Sequence, residues 1–245
     1  DLTNRAEIKT FGTNSAALIA QSIGGGGGAS AVNDGDVINI GTTSNALSVD
    51  NLPAITTGNV SVTNTSNLRT NAIGSAGLIA QSIAGGGGYV AETDGSEEYE
   101  IKFGATGNLS AAAGSVSVQS RGDLISTAKA YSPALVAQSI GGGGGFALIN
   151  AKSSGSTRLG AVENDLGSTE SGDVIVNNSA ILLTKGDFST ALTVQSIGGG
   201  GGVISSSASD LKLGTLNHRA TAASSNVEVF NTKSIQADGD YSSGI

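Results

Sequence analysis

One glutamine-, serine- and glycine-containing string recurs four times in this 245-residue chain and constrains its fold more than any other feature. The copies read AALIAQSIGGGGG, AGLIAQSIAGGGG, PALVAQSIGGGGG and TALTVQSIGGGGG, with their glutamines at Gln21, Gln81, Gln138 and Gln195. The glutamines are 60, 57 and 57 residues apart. A fixed period of this size is typical of arrays in which each unit packs on the next. The sequence therefore predicts a single repeat array over 1–245: partial unit 1–57, units 58–113, 114–171 and 172–224, and partial unit 225–245.

Apolar residues outside the string keep the same period. Two columns precede it: Leu2, Val62, Val118, Val176 and Val229, and, six residues later, Ile8, Leu68, Leu124, Leu182 and Ile235. Two more run through Leu18, Leu78, Leu135, Leu192 and Ile245 and through Ile23, Ile83, Ile140 and Ile197. After the glycines, VINIG, EIKFG, STRLG and DLKLG place Ile40, Phe103, Leu159 and Leu213 directly before a glycine. Because the intervening segments vary in length as surface loops do, we interpret the columns as core positions.

The local pattern is that of short β-strands. Runs such as V-S-V, V-I-V and V-E-V alternate apolar and polar residues and are bounded by Gly, Asn, Asp and Ser. No stretch sustains the apolar period of a helix with its capping signals. The sequence predicts an all-β, elongated parallel β-helix built from ~57-residue repeats. We expect about three coils of ~19 residues per repeat, with two longer coils as the alternative, and a rod of roughly 60 Å at 4.8 Å per coil.

Composition excludes several classes of protein. Lys plus Arg is 12 and Asp plus Glu is 20, so the net charge is −8, and so few scattered cations do not predict a nucleic-acid-binding patch. Cys is absent, which excludes disulfides and cysteine-based metal sites. No apolar run approaches the roughly 18 residues of a membrane span, and no charged-then-apolar signal segment opens the chain. Both ends fall inside a repeat, from which we expect a piece of a longer array or ends that pair with neighbours.

The glycine tract is expected to be structural. Glycine costs roughly 0.5–1 kcal/mol relative to alanine in regular structure, so four retained tracts predict a backbone with positive φ or very close chain approach. A flexible linker is the alternative; no tract continues into the Gly-Lys-Ser/Thr of a phosphate-binding loop. We expect each glutamine amide to bond backbone groups of its tract, an exposed and inconsequential glutamine being the alternative. The expected structural motif comprises Gln21, Ser22, Gly24, Gln81, Ser82, Gly85, Gln138, Ser139, Gly141, Gln195, Ser196 and Gly198.

Residues for catalysis or metal binding are sparse. His218 is the one histidine and is expected to be a loop residue. Acidic clusters occur at Glu97, Glu98 and Glu100 and at Glu163 and Asp165, and they are expected not to line up between coils. The sequence therefore predicts no enzyme activity, no catalytic residue, no metal and no cofactor. A carbohydrate-active enzyme on the same scaffold stays open, and its mark would be a charged cluster stacked across coils.

The unit G-x-V-x-V-x-N-x-(x)-x-L-x-T…A-L-I-A-Q-S-I-G-G-G-G-G resembles the repeats of large Gram-negative autotransporter passengers, over essentially the whole chain. The resemblance implies a β-helical surface adhesin, located outside the cell or on its outer membrane, that acts in adhesion, aggregation or biofilm. Its implied partners are other copies or neighbouring repeats and surface glycans or proteins, not nucleic acid. A filament subunit that assembles end to end through open coils is the alternative function.

Overall fold

Each repeat unit folds into six short β-strands. The computed structural model describes residues 1–32, 37–41, 43, 48–51, 53–92, 99–150, 155–162, 167–206, 210–214 and 221–245. Unit 1–57 forms β1 (Leu2–Asn4), β2 (Ile8–Thr10), β3 (Leu18–Ile23), β4 (Gly27–Val32), β5 (Val37–Ile40) and β6 (Ala54–Thr56), with a 3-10 turn at Val49–Asn51. Unit 58–113 forms β7 (Val60–Asn64), β8 (Leu68–Thr70), β9 (Leu78–Ile83), β10 (Gly87–Glu92), β11 (Tyr99–Phe103) and β12 (Ser110–Ala112).

The following units repeat this order. Unit 114–171 forms β13 (Val116–Ser120), β14 (Leu124–Thr127), β15 (Leu135–Ile140), β16 (Gly144–Ile149), β17 (Gly155–Leu159) and β18 (Thr169–Glu170). Unit 172–224 forms β19 (Val174–Asn178), β20 (Ile181–Thr184), β21 (Leu192–Ile197), β22 (Gly201–Ser206), β23 (Asp210–Leu213) and β24 (Ala222–Ala223). Partial unit 225–245 forms β25 (Val227–Asn231) and β26 (Ile235–Ala237).

Equivalent strands of successive units pair in parallel and in register. They build six sheets, ordered β1-β7-β13-β19-β25 (sheet 1), β2-β8-β14-β20-β26 (sheet 2), β3-β9-β15-β21 (sheet 3), β4-β10-β16-β22 (sheet 4), β5-β11-β17-β23 (sheet 5) and β6-β12-β18-β24 (sheet 6). In sheet 3, Leu78 lies beside Leu18 and Leu135, as the repeat alignment predicts. The all-β class and the parallel β-helix are confirmed.

The expected number of coils is wrong. Because β1 pairs with β7, a full repeat away, each unit winds once around the axis instead of three times. Sheet 1 therefore spans four strand spacings, about 19 Å, where three coils per repeat gave roughly 60 Å. The period gives the distance along the chain between equivalent residues, and one coil of this structure contains six strands.

The cross-section has several packed layers. The sheet 1 strands β7 and β13 alternate buried and half-buried residues, so one face packs inward. By contrast, β9, β10, β15 and β16 are buried at every residue. Sheet 3 packs one face on sheets 1 and 2, through Leu78 and Val118, and its other face on sheet 4, through Ile79 and Phe146. Sheet 4 in turn packs on sheet 5 through Val90 and Phe103. Sheets 3 and 4 are thus the interior of the molecule.

One predicted core position is off by a residue. Leu68 and Leu182 both pair with Ile125, which is fully buried, and not with Leu124. The turn of unit 114–171 between these strands is one residue longer than in its neighbours, so counting six residues from Val118 stops one position early. Leu124 is half-buried.

Deleting residues 114–171 is expected to leave a folded stack that is one coil shorter. Gly172 lies beside Gly114, so the deletion joins the chain at the same point of the coil. Gln195 would then take the place of Gln138 as the neighbour of Gln81 in the stack. A 19-residue deletion, 114–132, shifts every later strand by about a third of a coil and is expected to abolish folding. Thermal unfolding followed by circular dichroism distinguishes the two variants. If the 114–132 deletion folds and the 114–171 deletion does not, the assignment of one coil to each unit is wrong.

Candidate functional site

The four glutamines form a ladder through the interior. The Nε2 of Gln21 donates to Oε1 of Gln81, that of Gln81 to Gln138, and that of Gln138 to Gln195, each over 2.7 Å. Gln81 and Gln138 are completely buried, which excludes an inconsequential exposed glutamine. Their amides also donate to the carbonyls of Gly88 and Gly145 over 3.3 and 3.4 Å. The expected bond to the tract is present at these two glutamines, but the shorter contact is between glutamines.

The adjacent serines tie the coils together. The hydroxyl of Ser82 donates to the carbonyl of Gly58 over 3.1 Å and accepts from the amide of Gly114 over 2.9 Å. Ser139 makes the same pair of bonds to Gly114 and Gly172, over 2.9 and 2.8 Å. Because Gly58, Gly114 and Gly172 open successive units, each serine joins the start of its own coil to the start of the next.

Ser82→Ala is expected to lower the free energy of unfolding by about 0.5–1.5 kcal/mol, because it removes the hydrogen bonds that the buried Ser82 hydroxyl makes to Gly58 and Gly114. Ser61→Ala is a matched control in the same unit, since Ser61 is half-buried and points away from the core between Val60 and Val62. That control is expected to change stability by less than about 0.5 kcal/mol. Urea denaturation measures both values, and equal effects would argue against the serine tie.

The glycine tract is an ordered turn, so the flexible-linker alternative is wrong. Gly85 to Gly88 are buried and have φ of 83°, 90°, 138° and 141°. A Cβ placed on Gly144 would lie 1.8 Å from the carbonyl oxygen of Gly201. Both expected causes, positive φ and close chain approach, are therefore present. They let sheet 3 turn directly into sheet 4 while successive coils stay at strand spacing.

The first glycine of each tract has a different role. A Cβ on Gly24, Gly141 or Gly198 would collide with sheet 6, at 2.6, 2.4 and 2.3 Å from atoms of Ile55, Glu170 and Ala223. In unit 58–113 this position is Ala84, whose methyl group is buried beside Ala105 and Ala111. Gly85 therefore belongs to the next column, where it has φ of 83°.

An aromatic stack was missed by sequence reasoning. Tyr131, Phe188 and Tyr241 stack with ring centroids 5.0 and 4.9 Å apart, and all three have positive φ near 55°. Their spacings of 57 and 53 residues were the available signal. Beside the stack, Tyr89 donates its hydroxyl to the carbonyl of Gly74 over 2.7 Å, and burial raises the pKa of the Tyr89 phenol far above its usual range. Tyr89, Tyr131 and Phe188 pack in the apolar layer between sheets 3 and 4, whereas Tyr241 at the end of the stack is exposed.

The outer face of sheet 5 carries a column of cations that the sequence analysis did not predict. Pairing of β11, β17 and β23 places Lys102, Arg158 and Lys212 in one column and Glu100, Ser156 and Asp210 in the next. Glu100 bonds Lys102 over 2.6 Å, and Asp210 bonds Lys212 over 3.3 Å. The other singled-out residues, Glu97, Glu98, Glu163, Asp165 and His218, lie outside the described residues.

Comparisons with known proteins identify no relative: no family model, curated protein or solved structure matches this chain. Within the described ranges, no three His, Asp or Glu side chains are grouped as they would be around a metal ion. The same ranges hold no helix long and apolar enough to cross a membrane.

Proposed function

We propose that this chain is a structural and adhesive segment of an extracellular β-solenoid on a Gram-negative bacterial surface, acting in adhesion, aggregation or biofilm. The observation that carries the proposal is the continuous interior ladder of glutamines, serines and glycines. Such ladders join every coil to the next and make the stack rigid, which suits a rod that projects from a surface. The resemblance of the AQSIGGGGG unit to autotransporter passenger repeats supports the extracellular location.

No catalytic role is part of the proposal. The carboxylates of Glu100 and Asp210 lie on an open sheet face, and each is ion-paired with a lysine two residues away on its own strand. A glycosidase pair instead needs one carboxyl group kept protonated and both flanking a bound sugar. The stacked charge therefore favours binding over hydrolysis.

Display of the chain on cells tests adhesion. Bacteria that present the segment from an unrelated outer-membrane anchor are expected to sediment faster and to adhere to a surface more than cells presenting an equally long Gly/Ser-rich chain. Equal sedimentation and attachment of the two strains would reject an adhesive role. Surface labelling of an epitope tag confirms equal display.

A filament subunit is the second candidate, favoured by the polarity of the glutamine ladder. Each amide donates towards the higher-numbered unit, so Gln195 offers a donor at one end and Gln21 an acceptor at the other. Coils of a second copy would continue the ladder only in head-to-tail order. Negative-stain electron microscopy over a concentration series separates the candidates: fibres favour the filament, whereas particles that stay about 20 Å thick along the stack favour the segment.

A further inference from the structure

The cation column on sheet 5 contains one unpaired charge. Lys102 and Lys212 each have an acidic residue two positions earlier on the same strand, and both form ion pairs with it. In β17 the equivalent position is Ser156, so Arg158 lacks this partner. Among the described residues, none forms a hydrogen bond or an ion pair with Arg158, and its Nε is buried without an acceptor.

The surroundings of Arg158 disfavour its charge. Successive strands are about 4.8 Å apart, and in the strand register Arg158 lies between Lys102 and Lys212. Burial lowers the pKa of Arg158, and the nearby Glu100 only partly offsets this. Among the described residues of β11, β17 and β23, this face carries three cations and two carboxylates, and each carboxylate is ion-paired with a lysine. Within these strands, the cation without such a pair is Arg158.

We propose that this column binds a uronic-acid polysaccharide, with one sugar carboxylate seated on Arg158 between Lys102 and Lys212. A planar guanidinium pairs with a carboxylate through two parallel hydrogen bonds, which a lysine does not offer. The side chains of Lys102 and Lys212 are 37% and 56% exposed, so an extended chain can lie across successive strands along the coil axis. The flanking lysines then strengthen the attraction, and salt weakens it.

This inference rests on the proposed adhesive function, because it names the class of ligand that the adhesive segment would bind. The binding test itself does not depend on that function. A soluble oligomer of galacturonic acid binds one copy of the chain and requires neither surface display nor stacking of coils. Loss of cell adhesion with retained oligomer binding would therefore reject the adhesive function alone. Retained adhesion without oligomer binding would reject this inference alone.

The experiment titrates the whole 245-residue chain into fluorescently labelled hexagalacturonate at low ionic strength. Fluorescence polarisation is expected to show binding that weakens as salt is added. Arg158→Gln is expected to bind at least tenfold more weakly. Ser156→Asp is expected to weaken binding by a similar factor, because it places a carboxylate two residues before Arg158, as Lys102 and Lys212 already have.

Arg121→Gln is the matched control. Arg121 is in the same unit, is exposed, and bonds Gln119 at the turn after sheet 1. Its substitution removes the same charge from the chain and is expected to leave the affinity unchanged. Both sheet 5 variants should keep the wild-type melting temperature, since neither side chain contributes to the core. No binding by the wild type at low salt, or equal affinity of wild type, Arg158→Gln and Ser156→Asp, would overturn the inference.

Discussion

Gly88→Ala is expected to lower the free energy of unfolding by more than about 4 kcal/mol, enough to prevent folding of many domains. The added Cβ would lie 2.0 Å from the carbonyl oxygen of Gly28 in the preceding coil, and φ of Gly88 is 141°. The colliding atom is backbone within a parallel ladder, so it cannot move without breaking the pairing of β4 and β10. Circular dichroism and thermal unfolding measure the loss.

Gly28→Ala is the matched control for close approach. Gly28 pairs with Gly88 in the same column and has φ of 147°, but a Cβ there meets no atom within 4 Å. Only backbone strain remains, so the expected cost is about 1–3 kcal/mol. If both alanine variants lose the same stability, then φ alone explains the glycine requirement and the contact between coils does not.

Gln138→Ala is expected to lower the free energy of unfolding by about 2–4 kcal/mol, because one N–H of the buried Gln81 amide and the half-buried Oε1 of Gln195 both lose their partner. For a chain of this size each kcal/mol lowers the melting temperature by about 2–4 °C. Gln119→Ala is the control, since the Gln119 amide bonds only the exposed Arg121 among the described residues. An unchanged melting temperature for Gln138→Ala would contradict a stabilising ladder.

Gln138→Glu separates hydrogen bonding from side-chain size. A protonated glutamic acid can accept from Gln81 and donate to Gln195, whereas the carboxylate cannot donate and is desolvated. Burial should therefore raise the pKa of the introduced carboxyl group above its unfolded value of about 4.3. The variant should approach wild-type stability below that pH and lose stability as the pH rises. Equal destabilisation at pH 4 and pH 7 would argue against the hydrogen-bonded ladder.

Much of the candidate site could be predicted from the sequence, because the same residue types recur in every copy of the repeat. Parallel, in-register stacking places each residue beside its own equivalent, so a glutamine that recurs with the period meets another glutamine. The expectation that Gln138 bonds the glycine tract was confirmed, but it missed the shorter bond to the next glutamine. The signal was present, because a side-chain amide both donates and accepts and can bond a copy of itself.

The charged column of sheet 5 was harder to predict. Lys102, Arg158 and Lys212 differ in type, and their neighbours Glu100, Ser156 and Asp210 differ in charge, so neither column is conspicuous as a repeat. The repeat alignment of EIKFG, STRLG and DLKLG gives their common position, and the pairing of β11, β17 and β23 shows that they lie side by side. The missing acid beside Arg158 becomes visible only once Glu100 and Asp210 are seen on either side of Ser156.

The sequence by itself determined the all-β class, the repeat period and most core columns, because stacked coils require similar residue types at the same position in every copy. The tertiary structure alone decided that each unit winds once, that sheets 3 and 4 lie inside, and that Ile125 replaces Leu124 in the core. A period states how far apart equivalent residues are along the chain. The course of the chain between two equivalent residues depends on which sheets pack face to face. Those packing contacts join residues that are far apart in the sequence, so local sequence patterns do not predict them.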